Sequence, residues 1–133
     1  MKAWLLHIGH QNASYQEVLN VSRNEESNIK SYVLGQLFAL LEKAQEEANP
    51  GINATIKDRY FSSACAAPGV FPILLKLSNH HLAKAEYGGY TAGLIGDLMD
   101  RLQVEDDPFP MHLSLKDQGL FILGYYQERQ ARF

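Results

Sequence analysis

The sequence predicts an all-α fold, a bundle of about five helices joined by short loops. Three observations predict it. Apolar residues recur at spacings of three and four in successive stretches. Glycine or proline closes those stretches, at Asn49-Pro50-Gly51, Pro68-Gly69 and Gly88-Gly89. No alternating apolar–polar run flanks a turn dipeptide, so nothing signals a β-hairpin. A chain of 133 residues, 46% apolar and 20% charged, is globular in composition and suits a single domain, 1–133, with one core.

Residues 1–27 form an N-terminal segment with the weakest pattern. Trp4, Leu5 and Ile8 fit a short apolar turn, and Val18-Leu19-Asn20-Val21 fits a short extended piece. The first clear helix runs from about Asn28 to Ala48. Leu34, Leu37, Phe38, Leu41 and Ala44 form its buried stripe, and charged residues decorate its far end. Asn49-Pro50-Gly51 stops it. A second helix runs from an N-cap at Asn53 to about Ala66, with Ile56, Tyr60 and Ala64 inward. A third starts near Val70 with Pro72 in its first turn, where a missing N–H costs little. It reaches about Tyr87 and buries Phe71, Leu74, Leu75, Leu82 and Ala85. A fourth, about Thr91 to Gln103, buries Leu94, Ile95, Leu98 and Leu102. The acidic, proline-bearing stretch 105–110 is a loop. The last helix starts at a capping box, Ser114-Leu115-Lys116-Asp117, with aspartate in the place usual for glutamate. Leu115, Leu120, Phe121, Ile122, Leu123, Tyr125 and Tyr126 cover most of its circumference. It is therefore either the central helix of the bundle or partly buried against another subunit.

Composition narrows the function classes. No apolar run approaches the ~20 residues that span a bilayer. The first ten residues lack the apolar length and the small-residue cleavage site of a signal peptide. One cysteine excludes an internal disulfide framework. These readings point to a soluble cytoplasmic protein without membrane partners. A net charge of −3 argues against a generic basic nucleic-acid binder. The charge is uneven, however. Residues 53–84 carry net +3 and residues 125–133 net +1, whereas residues 85–124 carry net −5. An anionic partner would sit on the middle of the chain or its extreme end.

Candidate chemistry is sparse. Adjacent residues on a helix point about 100° apart, so His80 and His81 do not readily ligate one metal. Cys65 lies in a small apolar run and reads as a buried side chain rather than a nucleophile. The sequence has no phosphate-cradling glycine loop, no Gly-x-Ser-x-Gly and no paired cysteines. No catalytic residue, metal ligand or cofactor is assigned, and the chain reads as a non-enzyme. One pattern is specific. Lys76, His80 and Lys84 recur at i, i+4, i+8, on the side of the third helix away from Leu74, Leu82 and Ala85. On spacing alone such a ridge is first the wet face of an amphipathic helix. It also has the form of a helix that tracks a phosphate backbone. Lys57 and Arg59 would extend it if the second and third helices pack side by side. Tyr60, Phe61, Tyr125 and Tyr126 read as core or interface residues rather than base-stacking platforms.

Several segments resemble one family. They are Leu34 to Gln45, Ile52 to Phe61, Phe71 to Leu77 with His80-His81-Leu82, and Phe109 to Phe121 with Gly124-Tyr125-Tyr126. Together they resemble the C-terminal region of the large subunit of type I-C Cascade, the CRISPR RNA-guided surveillance complex. The resemblance covers roughly residues 30–86 and 109–132; residues 1–25 and 87–107 match poorly. In type I-C systems it implies a free small subunit, made by internal translation initiation within the large-subunit gene. A chain that starts at Met and ends in the family's last helix looks like that product, and a C-terminal fragment of the large subunit is the rival reading. The resemblance further implies a helical bundle beside the RNA-binding backbone subunits, the large subunit and a neighbouring small subunit. It implies a hold on the displaced non-target DNA strand, an indirect or weak contact with guide RNA, and no nuclease activity. A modest backbone contact suffices for that role, because R-loop formation exchanges one duplex for another of similar stability. An acidic chain can take part if its contacts are local and the assembly supplies avidity. The competing reading is a purely structural spacer between subunits that touches no DNA. The weakest is a metal-dependent hydrolase resting on His80 and His81. Isolated, the chain is expected to be a monomeric or weakly associating bundle.

Overall fold

A computed structural model describes residues 26–103 and 107–133, with side chains from Lys30 onward. The expected turn around Trp4, Leu5 and Ile8 and the extended piece at Val18–Val21 lie outside the described residues. Five α-helices follow one another: α1 (Glu26–Ala48), α2 (Ile56–Ala66), α3 (Phe71–Lys84), α4 (Gly88–Leu102) and α5 (Leu115–Arg132). A 3-10 turn, Pro68–Val70, joins α2 to α3. The described residues contain no strand.

The centre is α1. Its expected stripe is buried, and so are Val33, Ala39 and Leu40, which lie off that stripe. The other four helices pack around it. α2 lies against α1 and α5, and α3 lies against α1 and α4. This corrects the first reading of the last helix as the central one. Phe121 and Tyr125 of α5 are fully buried, but Leu115 is 85% exposed, Tyr126 50%, Leu123 42% and Ile122 40%. Those four side chains face away from α1.

Glycines set the distance between α1 and α5. A Cβ on Gly35 would strike the carbonyl oxygen of Phe121, and one on Gly124 would strike that of Tyr32. Two backbones meet here at a separation that only glycine permits. The approach lets Phe38 reach into an aromatic cluster. Its ring lies 5.4 Å from Phe61, 5.8 Å from Tyr125, 6.2 Å from Phe121 and 6.3 Å from Phe71, edge-on to each. Edge-to-face geometry places the positive ring edge against a negative face.

Helix ends follow local chemistry, with two corrections. The N-cap of α2 is Thr55 rather than Asn53. Thr55 Oγ1 accepts from the Asp58 N–H at 3.1 Å and the Thr55 N–H donates to Asp58 Oδ2 at 3.4 Å, a reciprocal capping box. Ser114 caps α5 as expected, accepting from the Asp117 N–H at 3.1 Å. The second correction concerns Gly88-Gly89, read as a stop. α3 already ends at Lys84, and the glycines form the first turn of α4. A Cβ on Gly88 would collide with the Leu82 carbonyl, so the tight α3–α4 corner requires glycine there.

A polar pair lies inside the bundle. The buried Tyr125 hydroxyl donates to Glu42 Oε1, which also takes Arg129 Nε at 3.4 Å. Burial, followed by the hydrogen bond to Glu42 and its negative charge, pushes the Tyr125 phenol well above its ordinary 10.0. The folded state therefore favours the neutral phenol. That contribution to stability is complete below the ordinary value and is lost as pH rises toward the raised one. We expect the chain to lose stability on strong alkalinisation, with Tyr125 ionising only as the fold opens. Tyrosinate absorbance with circular dichroism checks this: Tyr125→Phe should shrink the late component, leaving the part due to Tyr32, whose phenol burial also pushes up.

Candidate nucleic-acid interface

α3 exists where it does because Phe71, Leu74 and Ser78 anchor one side of it. Phe71 stacks on Phe109 at 5.6 Å between ring centres, and the Ser78 hydroxyl donates to the Leu75 carbonyl at 2.7 Å. The anchored side turns Lys76, His80 and Lys84 outward, and all three are exposed. At 1.5 Å rise per residue they span about 12 Å in two steps of about 6 Å. The face is not purely basic. Ile73 is 57% exposed and Leu77 39%, and helical geometry places both beside the ridge. The ridge spacing alone did not bring out these two, although the same wheel contains them.

His80 and His81 diverge as the spacing predicts. His80 is exposed, whereas His81 is part-buried. Desolvation, then the charges of Lys84 and His80, lowers the His81 pKa from its ordinary 6.5. Among the described residues no three His, Cys, Asp or Glu side chains gather as ligands for a metal ion. Cys65 is buried, with its thiol 3.5 Å from the Gln118 carbonyl, and burial raises its pKa.

Lys57 and Arg59 do not continue the ridge. They were expected to do so if α2 and α3 packed side by side, but α2 turns to α5 instead. The Lys57 ammonium lies 5.3 Å from the Tyr126 ring centre, 5.4 Å from Tyr125 and 5.9 Å from Phe61. It also donates to the Tyr126 hydroxyl at 3.4 Å. Lys57 is thus folded over aromatic faces. Arg59 is exposed on α2. On the far side of the ridge a groove of about 460 Å³ separates α3 from α4, with Lys76, Asn79, Leu82, Ile95 and Gly96 in its walls.

The model of the CRISPR-associated protein family Cas_Csd1 matches residues 1–133 of this sequence. The chain belongs to that family. The Cas_Csd1 match spans the whole sequence, including the segments 1–25 and 87–107 that the resemblance left out. Among curated proteins, none matches the chain. Membership makes this chain a CRISPR-associated component of the type I-C Cascade kind, with other Cascade subunits as its partners. Its fold agrees with the expected helical bundle, and among the described residues no helix is long and apolar enough to cross a membrane.

Proposed function

We propose that this chain is a non-catalytic, cytoplasmic small subunit of the type I-C surveillance complex. In this reading it supports assembly and stabilises the R-loop by holding the phosphate backbone of the displaced non-target strand. The observation that carries the reading is the exposed line Lys76–His80–Lys84 on a helix whose opposite side is locked into the core. Phosphate contacts position a strand without reading its bases, so the contact would be independent of sequence. The exposed Ile73 and Leu77 on the same face favour a second reading, a spacer that meets another subunit there.

The double variant Lys76→Ala/Lys84→Ala separates the two. Exposed substitutions of this kind usually change stability by only about half a kcal/mol. We expect normal folding, normal incorporation and normal guide-RNA loading, but weaker R-loop formation by the assembled complex. The slope of affinity against salt should fall by roughly one to two units, since each lost phosphate contact on a single strand removes about 0.7. Wild-type affinity and slope would leave the ridge a solvated face. Failure to co-purify with the other subunits would favour the spacer.

The non-catalytic reading is tested apart from DNA holding. The purified chain, incubated with single- and double-stranded DNA and magnesium or manganese, should leave both intact. Cleavage that follows the protein through purification and disappears with His80→Ala would overturn it.

A further inference from the structure

The α3–α4 corner carries two tyrosine rings that the core does not use. Tyr87 is 65% exposed and Tyr90 60%, more than any other tyrosine or phenylalanine among the described residues. Phe61 and Tyr125, by contrast, pack with Phe38 inside the bundle. The corner itself is firmly held. Gly88 lies against the Leu82 carbonyl, and the buried Thr91 hydroxyl donates to Glu47 Oε1 of α1 at 2.9 Å. The Tyr90 and Thr91 N–H groups donate to the Tyr87 carbonyl at 3.1 and 3.2 Å. Tyr87 and Tyr90 are thus about one turn apart, about 4.5 Å along the axis of α4. A Cβ on Gly89, between them in sequence, would meet nothing within 4 Å, so the space there is open.

The rings adjoin the α3 ridge. Lys84, its last cation, ends α3 three residues before Tyr87. On α5, Arg132 Nη1 donates to the Tyr90 hydroxyl at 3.5 Å. Arg132 Nε is held by Glu128 at 2.9 Å, so Arg132 tethers the Tyr90 ring and its charge is already paired. Glu86 is exposed at the same corner and offsets Lys84. The corner therefore offers ring faces rather than net positive charge. A ligand that suits it brings flat apolar groups to the rings and its anions to the ridge.

We propose that Tyr87 and Tyr90 are a base-stacking platform for single-stranded DNA, beside the Lys76–His80–Lys84 ridge. The inference rests on the strand-holding reading above and adds a base contact to it. Every unpaired base has a π-face, so stacking on the two rings tolerates any sequence. A duplex hides those faces in its own stack, so the platform selects single strands. Stacking neutralises no phosphate, and the rings' share of the affinity is independent of salt.

The test uses the assembled complex, loaded with guide RNA and a target-strand oligonucleotide. It is titrated with a labelled single-stranded DNA that pairs with neither. Tyr87→Ala/Tyr90→Ala should weaken binding of that strand at least about fivefold and leave the salt slope unchanged. Both side chains are exposed, and Tyr87 caps α4 without a side-chain hydrogen bond. The variant should therefore fold with unchanged circular dichroism and co-purify normally. Tyr87→Phe/Tyr90→Phe keeps the rings and should bind like the wild type. A strand of abasic nucleotides keeps every phosphate and loses every base. It should bind the wild-type complex as weakly as the alanine variant binds the intact strand. Wild-type affinity in the alanine variant would overturn the platform, and a loss on Lys76→Ala/Lys84→Ala in the same titration would leave the phosphate contact standing alone. No binding of the strand by the wild-type complex would overturn the platform together with the strand-holding reading. An equal loss in the phenylalanine variant would overturn stacking in favour of the hydroxyls. Failure of the alanine variant to co-purify would overturn it in favour of a subunit contact.

Discussion

Gly124→Ala is expected to disrupt the packing of α1 on α5 and to lower stability by about 3 kcal/mol or more, a fall in Tm of roughly 10 °C. The added methyl meets the Tyr32 carbonyl, with the Tyr32 carbonyl carbon at 3.0 Å and Cα at 3.2 Å. These are backbone atoms of the central helix and have no rotamer through which to yield. The helices must separate, and separation withdraws Phe121 and Tyr125 from their contacts with Phe38. Gly35→Ala should act alike, since its methyl would meet the Phe121 carbonyl. Gly119→Ala is the control on the same helix. Its methyl would enter open space, so it should raise stability by up to about 1 kcal/mol. Urea unfolding of the three variants gives the comparison. Equal effects at 119 and 124 would show that helix propensity, not the close approach, sets the cost.

Phe38→Ala should be comparably severe, at about 3–5 kcal/mol. Phe38 is fully buried on the central helix and makes four edge contacts to rings from α2, α3 and α5. Truncation opens a cavity that three different helices would have to close together. Against a domain stability of about 5–15 kcal/mol, the variant would be marginal or unfolded. Phe38→Leu leaves a smaller cavity and should cost clearly less than Phe38→Ala. If Phe38→Ala costs about 1 kcal/mol or less, the ring cluster does not hold the helices together.

The candidate ridge was legible because it is local. Helical spacing alone puts Lys76, His80 and Lys84 on one line, and the apolar residues opposite fix which way the line faces. The position of Lys57 was not legible. Whether it joined the ridge depended on which neighbour α2 chose, and α2 chose α5, bringing the Lys57 ammonium over Tyr125 and Tyr126. Thr55 as N-cap could have been read from the sequence, since Thr55-Ile56-Lys57-Asp58 has the capping-box form. Asn53 competed with it because asparagine is also a strong cap.

By itself the sequence determined the helical class, the five segments, most of their inward residues and the line of basic residues on α3. Periodicity and punctuation are properties of neighbours along the chain, and they are written in the order of residues. Tertiary structure decided which helix is central. α1 and α5 are both rich in apolar residues, and composition does not rank them. Gly35 and Gly124 let the two meet backbone to backbone at one crossing. The other helices then close around α1. Among the described residues no helix covers the outer face of α5, where Leu115, Ile122 and Tyr126 are exposed.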